Sequence, residues 1–335
     1  MPTDEQTPVD VSVVCPFFNE ESIIEHAVSV LLEKLDTLGA HWELIVVNDG
    51  SRDHSAEMVA QIRHPRLRVV GYEINRGRGH ALRTGIRAAR GEVIVTTEID
   101  LSWGEDIVER LYTAMQENPD CDIVVASPNL PGGGYRNVPF KRVAVSRFGN
   151  WVIRACMTNA TSMNTGMTRA YRRDVIKTLP VTENGKEFHL EVILKAHALG
   201  YRMTEIPCVL EWKTLKKPAG TAARKSSSRV NRLIVSHTLF SIFANPIRYV
   251  WALSVTSLLL SVAFFAVGAY HFLTGEVSVF ALIISLSLVI IALMFFTMGV
   301  ITHQGNSIQK ELWALQRDRL ARELRADEDT RAARR

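Results

Sequence analysis

VIVTTEIDLSW, residues 93–103, is the stretch whose reading decides the fold. Its first half follows Gly91 as an apolar, β-branched run, with the length and composition of a central strand in a parallel sheet buried on both faces. Its second half carries two carboxylates, Glu98 and Asp100, separated by Ile99. Side chains alternate along an extended chain, so both acids point one way and Ile99 the other. The carboxyl end of such a strand is where open α/β sheets bind ligands. Two convergent carboxylates there suit a hard, oxygen-seeking cation, Mg²⁺ or Mn²⁺. The competing reading is a strand that simply ends in solvated acids ahead of a helix.

The flanking sequence supplies the rest of an α/β sheet. Residues 9–18 predict a first strand, followed by a helix with apolar positions Ile23, Ile24, Ala27, Val28, Leu31, Leu32 and Leu35 that Gly39 stops. Further strands are predicted at 42–47, 67–72 and 122–126, with helices at 77–89 and 105–116 between them, and the central strand itself at 93–99. Strands alternating with helices indicate a parallel sheet. Beyond Ser127 the pattern loosens. Residues 128–139, with three consecutive glycines, predict a mobile loop over the ligand edge. Helices follow at 141–157 and 187–198, and a strand at 203–212 with Pro207 inside it, which suits a sheet edge.

Charge and hydropathy then change abruptly. Between Trp212 and Gly275 there is no Asp or Glu, while Lys213, Lys216, Lys217, Arg224, Lys225, Arg229, Arg232 and Arg248 all fall there. A basic block directly before an apolar run fits an anionic membrane surface better than nucleic acid. Residues 250–272 carry no acidic or basic charge beyond His271, and as a helix would be about 35 Å long, enough to cross the hydrocarbon. Residues 277–301 form a second such span, so the pair reads as a tight transmembrane hairpin. Basic residues flank it outside and none lie in its turn, which places both chain ends on the cytoplasmic side. Residues 229–244 read as an interfacial amphipathic helix, or else as the start of a longer spanning one. Ile308, Leu312, Leu315 and Leu324 form a sparse stripe that is either an oligomer contact or part of a solvated tail. The N-terminal MPTDEQTPVD is polar and acidic, so no cleavable signal peptide is expected. Cys15, Cys121, Cys156 and Cys208 have neither zinc nor redox-motif spacing, which argues against a metal cluster or disulfide framework.

VSVVCPFFNEES, ELIVVNDGSRD, NRGRGHALRTGI, the EIDLS stretch, SRFGN, TGMTRAYRRD and EFHLEVILKAHALGYRMTEIPCVLEW run in this order over residues 11–212. Together they resemble the family 2 GT-A glycosyltransferases, and among them the polyprenyl-phosphate sugar synthases of the dolichol-phosphate mannose synthase and dolichyl-phosphate glucosyltransferase type. The resemblance implies a Rossmann-like, mixed and mostly parallel sheet in a cytosolic catalytic domain (1–212), then a basic juxtamembrane segment (213–247), a two-helix membrane hairpin (248–302) and a cytoplasmic helix and tail (303–335). It also implies a homo-oligomer, a tetramer being one form.

What the resemblance implies for the site is specific. Pro16, Glu20 and Asp49 would hold the base and ribose of a nucleotide sugar, although an Asp in an N-D-G-S turn also caps the next helix. Arg76, Arg78 and Arg83 around Gly77 and Gly79 would meet the diphosphate, because an arginine fork matches phosphate oxygens. Asp100 would bind the cation with Glu98 assisting. The usual family motif is Asp-x-Asp, so Glu98→Asp is expected to leave transfer intact, whereas loss of Asp100 abolishes it. Arg147 and Arg169 match the basic acceptor-phosphate positions, with Lys225 and Arg229 helping at the membrane. The implied reaction is inverting transfer of a hexose from a GDP-mannose or UDP-glucose type donor to dolichyl or undecaprenyl phosphate. The alternatives are a non-catalytic binder of nucleotide sugar or lipid phosphate, and a processive polysaccharide synthase.

Overall fold

The computed structural model describes residues 8–156, 161–212, 246–275 and 278–333. The first strands and helices alternate in the anticipated way: β1 (Val11–Phe17), α1 (Ile24–Asp36), β2 (Trp42–Asp49), α2 (Ser55–Gln61), β3 (Leu67–Tyr72), α3 (Arg78–Ala88), β4 (Val93–Thr96), α4 (Ile107–Glu117) and β5 (Ile123–Ser127). Every side chain of β4 and β5 is buried, as their unbroken apolar runs require, while β3 alternates because it lies at an edge. The α1 face that packs on the sheet is Ile24, Ala27, Val28, Leu31, Leu32 and Leu35, the stripe read from its spacing.

Beyond β5 come β6 (Gly134–Arg136), α5 (Phe140–Cys156), β7 (Arg169–Arg172), α6 (Arg173–Thr178), α7 (Phe188–Ala198), β8 (Met203–Pro207) and β9 (Val209–Glu211). Seven strands form one sheet in the order β3-β2-β1-β4-β7-β5-β8. All neighbours run parallel except β7, which is antiparallel to both β4 and β5. β1 to β4 therefore end at one edge, and their connecting loops to α1, α2, α3 and α4 gather there.

Three departures from the sequence reading matter. β4 stops at Thr96, so Glu98 and Asp100 lie in the turn that follows it and not on the strand. The glycine-rich segment 128–139 contains β6, which pairs in parallel with β9 and ties the segment down. The single strand anticipated at 203–212 is two: Pro207 ends β8, which is an edge strand as its proline suggests, and the chain resumes as β9. The stretch 229–244 read as an interfacial helix lies outside the described residues, as do Lys225 and Arg229.

Two long helices complete the chain, α8 (Pro246–Leu273) and α9 (Val279–Ala333). Both are long and apolar enough to cross a membrane. They pack as a hairpin in which Ser261 Oγ and Ser285 Oγ each donate to the other's carbonyl, at 2.9 and 3.1 Å, and Ser254 Oγ donates to Ala292 O at 2.8 Å. Gly268 faces Leu282 and Gly299 faces Trp251, small residues that let the helices approach closely. α9 continues unbroken for 55 residues, well past its apolar half.

At the edge opposite the ligand loops, one carboxylate clamps three elements. Glu43 on β2 is 1% exposed; it accepts from Ser12 Oγ (2.6 Å), the Arg90 backbone N–H (2.7 Å) and Arg68 Nη1 (2.8 Å). Burial alone would raise its pKa, but the bonds from Ser12, Arg68 and Arg90 outweigh it and hold the carboxyl below the usual range. A lowered folded pKa contributes stability that is present above the unfolded value and lost as pH falls through the folded one. Glu43→Ala is expected to cost roughly 2–4 kcal/mol at neutral pH, and Glu43→Gln to flatten the acid side of the stability curve. Urea melts between pH 3 and 7 check both; an unchanged pH profile in Glu43→Gln contradicts the clamp.

Candidate functional site

The β3–α3 loop is built around the buried Asp49 at the end of β2. Its Oδ1 accepts from Tyr72 OH (2.7 Å) and from the backbone N–H groups of Arg76 and Gly77 (both 3.0 Å), and its Oδ2 accepts from Asn75 Nδ2 (3.0 Å). Burial, and then the neighbouring Asp49, push the Tyr72 phenol well up, so it stays a donor. Asp49 was expected to hold the nucleotide. Its carboxylate accepts four bonds from the chain, which fix the loop whose backbone leads into α3. The adjacent β1–α1 loop is laced to the β2–α2 loop by Asn19 N–H to Ser51 Oγ (3.1 Å), Arg52 N–H to Asn19 Oδ1 (2.8 Å) and Glu20 N–H to Ser55 Oγ (2.8 Å). Pro16, on β1, and Glu20 are half-buried at this same edge.

The basic residues around α3 are distributed unequally. Arg76 is exposed, with its guanidinium 5.5 Å from the Tyr72 ring centroid. Arg83 donates to Val181 O at 3.2 Å and to Asn184 Oδ1. His80 is held below its ordinary pKa by burial first, then by Arg83 and Arg76. Gly77 (φ +97°) and Gly79 make room for the chain itself: a Cβ on Gly79 would lie 2.7 Å from Glu183 O, and one on Gly77 2.6 Å from Asn184 O. The loop over 183–185 fills that space, and Asn184 O accepts from the Gly79 and His80 N–H groups at 2.8 and 3.2 Å. The glycines thus serve close packing of this loop on the start of α3, a long-range reason that no local motif reveals.

At the end of β4 the two carboxylates are not equivalent. Glu98 Oε2 accepts from Ser102 Oγ (3.0 Å) and Trp103 Nε1 (3.2 Å), and its Oε1 lies 3.3 Å from Arg78 Nη1. Asp100, among the described residues, accepts one bond, from the Ser102 backbone N–H at 3.1 Å. The turn is held by buried Ile99, Leu101 and Trp103. Leu101 sits at φ 54°, a left-handed conformation that costs a branched residue about 1–2 kcal/mol and marks a site held under constraint. Glu98 is therefore committed to Arg78, whereas Asp100 keeps free lone pairs. Ser102 and Trp103, not singled out as site residues from sequence, are what fix Glu98.

The two arginines assigned to the acceptor part company. Arg147 is exposed on α5, 5.8 Å from the Tyr135 ring centroid of β6, and Arg142 stacks over Trp212 at 4.2 Å. Arg169 is fully buried on β7; its Nη1 and Nη2 donate to His189 O (2.8 Å) and Asn164 O (2.7 Å). That geometry corrects the expectation of a phosphate fork: Arg169 braces the 161–168 loop against the start of α7. Glu205 on β8 braces the same loop, accepting from Ser162 N–H and Met163 N–H at 2.7 and 3.0 Å.

A mostly parallel sheet with one antiparallel strand beside the acid-bearing turn defines the GT-A class of fold. The model described as Glycosyl transferase family 2 matches residues 12–179, half of the chain, and the chain belongs to that family. Among curated proteins it is 30% identical over 203 residues to the undecaprenyl-phosphate 4-deoxy-4-formamido-L-arabinose transferase of Shewanella sediminis, covering 56% of this chain and 59% of that protein. It is 28% identical over 215 residues to glycosyltransferase AglD of Haloferax volcanii, covering 61% of this chain and 33% of that one. The chain therefore spans less than two thirds of the length of these relatives. Among solved structures, glucosyl-3-phosphoglycerate synthase from Mycobacterium tuberculosis superposes with a TM-score of 0.53 at 18% identity, over 70% of this chain and 80% of that one, a likeness of fold.

For Glu98→Asp the geometry gives a different expectation from the resemblance. Glu98→Asp withdraws the carboxylate by one methylene from Arg78, Ser102 and Trp103 together. It is expected to raise the donor KM by roughly tenfold, the worth of a charge-assisted bond. Steady-state kinetics check this; a donor KM equal to that of the unchanged chain contradicts the assignment.

Proposed function

We propose that the protein is a membrane glycosyltransferase that moves a hexose from a nucleotide sugar to a polyprenyl phosphate on the cytoplasmic face, giving a lipid-linked monosaccharide. The observation that carries this reading is the presence, in one family 2 chain, of an open carboxylate at the ligand edge and two helices long and apolar enough to cross a membrane. The undecaprenyl-phosphate sugar transferase named above supports the same acceptor class. So does α5, whose Phe140, Phe148 and Trp151 are exposed beside Arg142, Arg147 and Arg154, as on a helix that lies against lipid.

The roles follow from the geometry. Pro16, Glu20 and the loop fixed by Asp49 would flank the base and ribose. Arg76 and Arg78 would meet the diphosphate, the latter aimed by Glu98. Asp100, a hard oxygen donor that accepts one bond among the described residues, is the residue that would hold Mg²⁺ or Mn²⁺, with Glu98 lying beside it. Such an ion neutralises charge developing on the leaving nucleoside diphosphate. The acceptor needs no general base, because a phosphate monoester with a second pKa of about 6 is largely dianionic at neutral pH. It needs cations beside the anomeric carbon, a role for the exposed Arg147 and, by their position before α8, Lys225 and Arg229. Single displacement by that phosphate inverts the anomeric centre, and no protein nucleophile is required.

In the proposed organisation residues 1–212 are the catalytic domain, 213–247 the basic link and 248–302 the hairpin. The segment 303–335 is the cytoplasmic helix and tail of this proposal; through residue 333 it continues the helix of the second span, and its contact with the α/β domain supports a reading with both on one side of the membrane. Purified protein incubated with Mn²⁺ or Mg²⁺, a panel including GDP-mannose and UDP-glucose, and undecaprenyl or dolichyl phosphate is expected to give an acid-labile, organic-extractable sugar that EDTA abolishes. Absence of lipid-linked sugar with every donor overturns the proposal. Donor binding without turnover would mark a binding protein, and an unextractable polymer a processive synthase.

A further inference from the structure

The polar half of α9 lies on the α/β domain. Lys310, Trp313 and Arg317 follow one another on one helical face and meet α7 and the turn after it. Burial and then Lys310 lower the pKa of His197, and Arg317 bonds the side chains of Asp318 and Tyr201. Between them, Lys195 Nζ stands 5.2 Å from the Trp313 ring centroid. Further along, Leu320 and Leu324 turn toward α6, whereas Ile308, Leu312 and Leu315 stay exposed. The face that docks therefore takes in only Leu324 of the apolar stripe visible in the sequence, and its contact is with its own chain.

Lys195 leads directly to the candidate site. Its ammonium donates to Glu191 Oε1 (2.7 Å) and Pro180 O (2.6 Å), and both side chains of the pair are almost wholly buried, 9% and 11% exposed. The Glu191 carboxylate accepts from Thr182 N–H (3.0 Å), Thr182 Oγ1 (3.0 Å) and Glu183 N–H (2.8 Å). The next residue, Asn184, caps the first N–H groups of α3 through its carbonyl and holds Arg83 through its side chain. A continuous series of contacts thus joins an indole on the helix emerging from the apolar hairpin to the loop over 182–185.

We propose that Trp313 is a positioning residue for the donor site: its ring covers the Lys195 ammonium and keeps the Lys195–Glu191 pair dry, so that Glu191 holds the 182–185 loop on the start of α3. An ion pair with this little exposure is sensitive to water at any open flank. An aromatic face is suited to closing that flank, since it excludes water while attracting the cation. The consequence is that the helix leaving the membrane is a working part of the donor pocket. The inference rests on the donor-site reading above.

The test uses the full chain in detergent micelles, with Trp313→Leu, which keeps apolar bulk without a π face, and Trp313→Phe, which keeps one. In Trp313→Leu, amide hydrogen exchange at Thr182 and Glu183 is expected to rise, and the donor KM to increase roughly three- to tenfold with kcat held. Trp313→Phe is expected to stay close to the unchanged chain in both. The proposal is overturned if exchange at 182–183 does not move in Trp313→Leu, or if Leu and Phe behave alike. The exchange measurement needs no substrate. If no donor yields lipid-linked sugar, the functional reading fails on its own while the exchange still decides the role of Trp313.

Discussion

One buried carboxylate, Asp49, sets the geometry of the ligand edge. Four donors converge on it from Tyr72, Asn75, Arg76 and Gly77, and so the loop from β3 into α3 has one conformation. Charge-assisted bonds to a desolvated acceptor are the strong ones, and releasing one would strand a buried charge. From that fixed loop follow the direction of α3, the place of Arg78 opposite Glu98, and the N–H groups that receive Asn184 O. The edge is thereby built from three separate segments, 72–83, 98–103 and 182–191, the first joined to the second by Arg78 and Glu98 and to the third by Arg83 and Asn184.

This arrangement separates two tasks that the sequence places two residues apart. Glu98 is bonded on both oxygens and orders Arg78, and Asp100 has, among the described residues, a single backbone donor in a turn that holds Leu101 in a left-handed conformation. The longer glutamate reaches donors that an aspartate at the same position would miss. The glutamate in place of the first aspartate of the usual Asp-x-Asp motif therefore has a structural reason in Ser102, Trp103 and Arg78. The cationic side of the site is likewise divided, between exposed Arg76 and Arg147, and Arg83 and Arg169, which hold backbone carbonyls.

Much of the fold was legible because burial on both faces leaves an unmistakable mark: the runs in β1, β2, β4 and β5 and the stripe on α1 need no partner to be recognised. β7 was not legible, since RAYR looks polar and the burial of Arg169 depends on carbonyls of the preceding loop and of α7. β6 was hidden for a similar reason, its three residues being a strand only beside β9. At the site, sequence identified which residues carry charge but not which charges are already spent. Whether Asp49, Glu98 or Arg169 is available depends on donors and acceptors up to 28 residues away. The docking of α9 was illegible on the same grounds, because Trp313 carries no local sign that its partner is Lys195.

The central proposal is that Asp100 would take the cation while Glu98 orders Arg78. Mn²⁺ binding to the purified full chain, followed by electron paramagnetic resonance with UDP or GDP held saturating for each variant, tests it without reference to turnover. Glu98→Gln is predicted to keep the midpoint of the unchanged protein, and Asp100→Asn to lose the protein-dependent binding. Loss of binding in Glu98→Gln equal to that in Asp100→Asn would contradict the account.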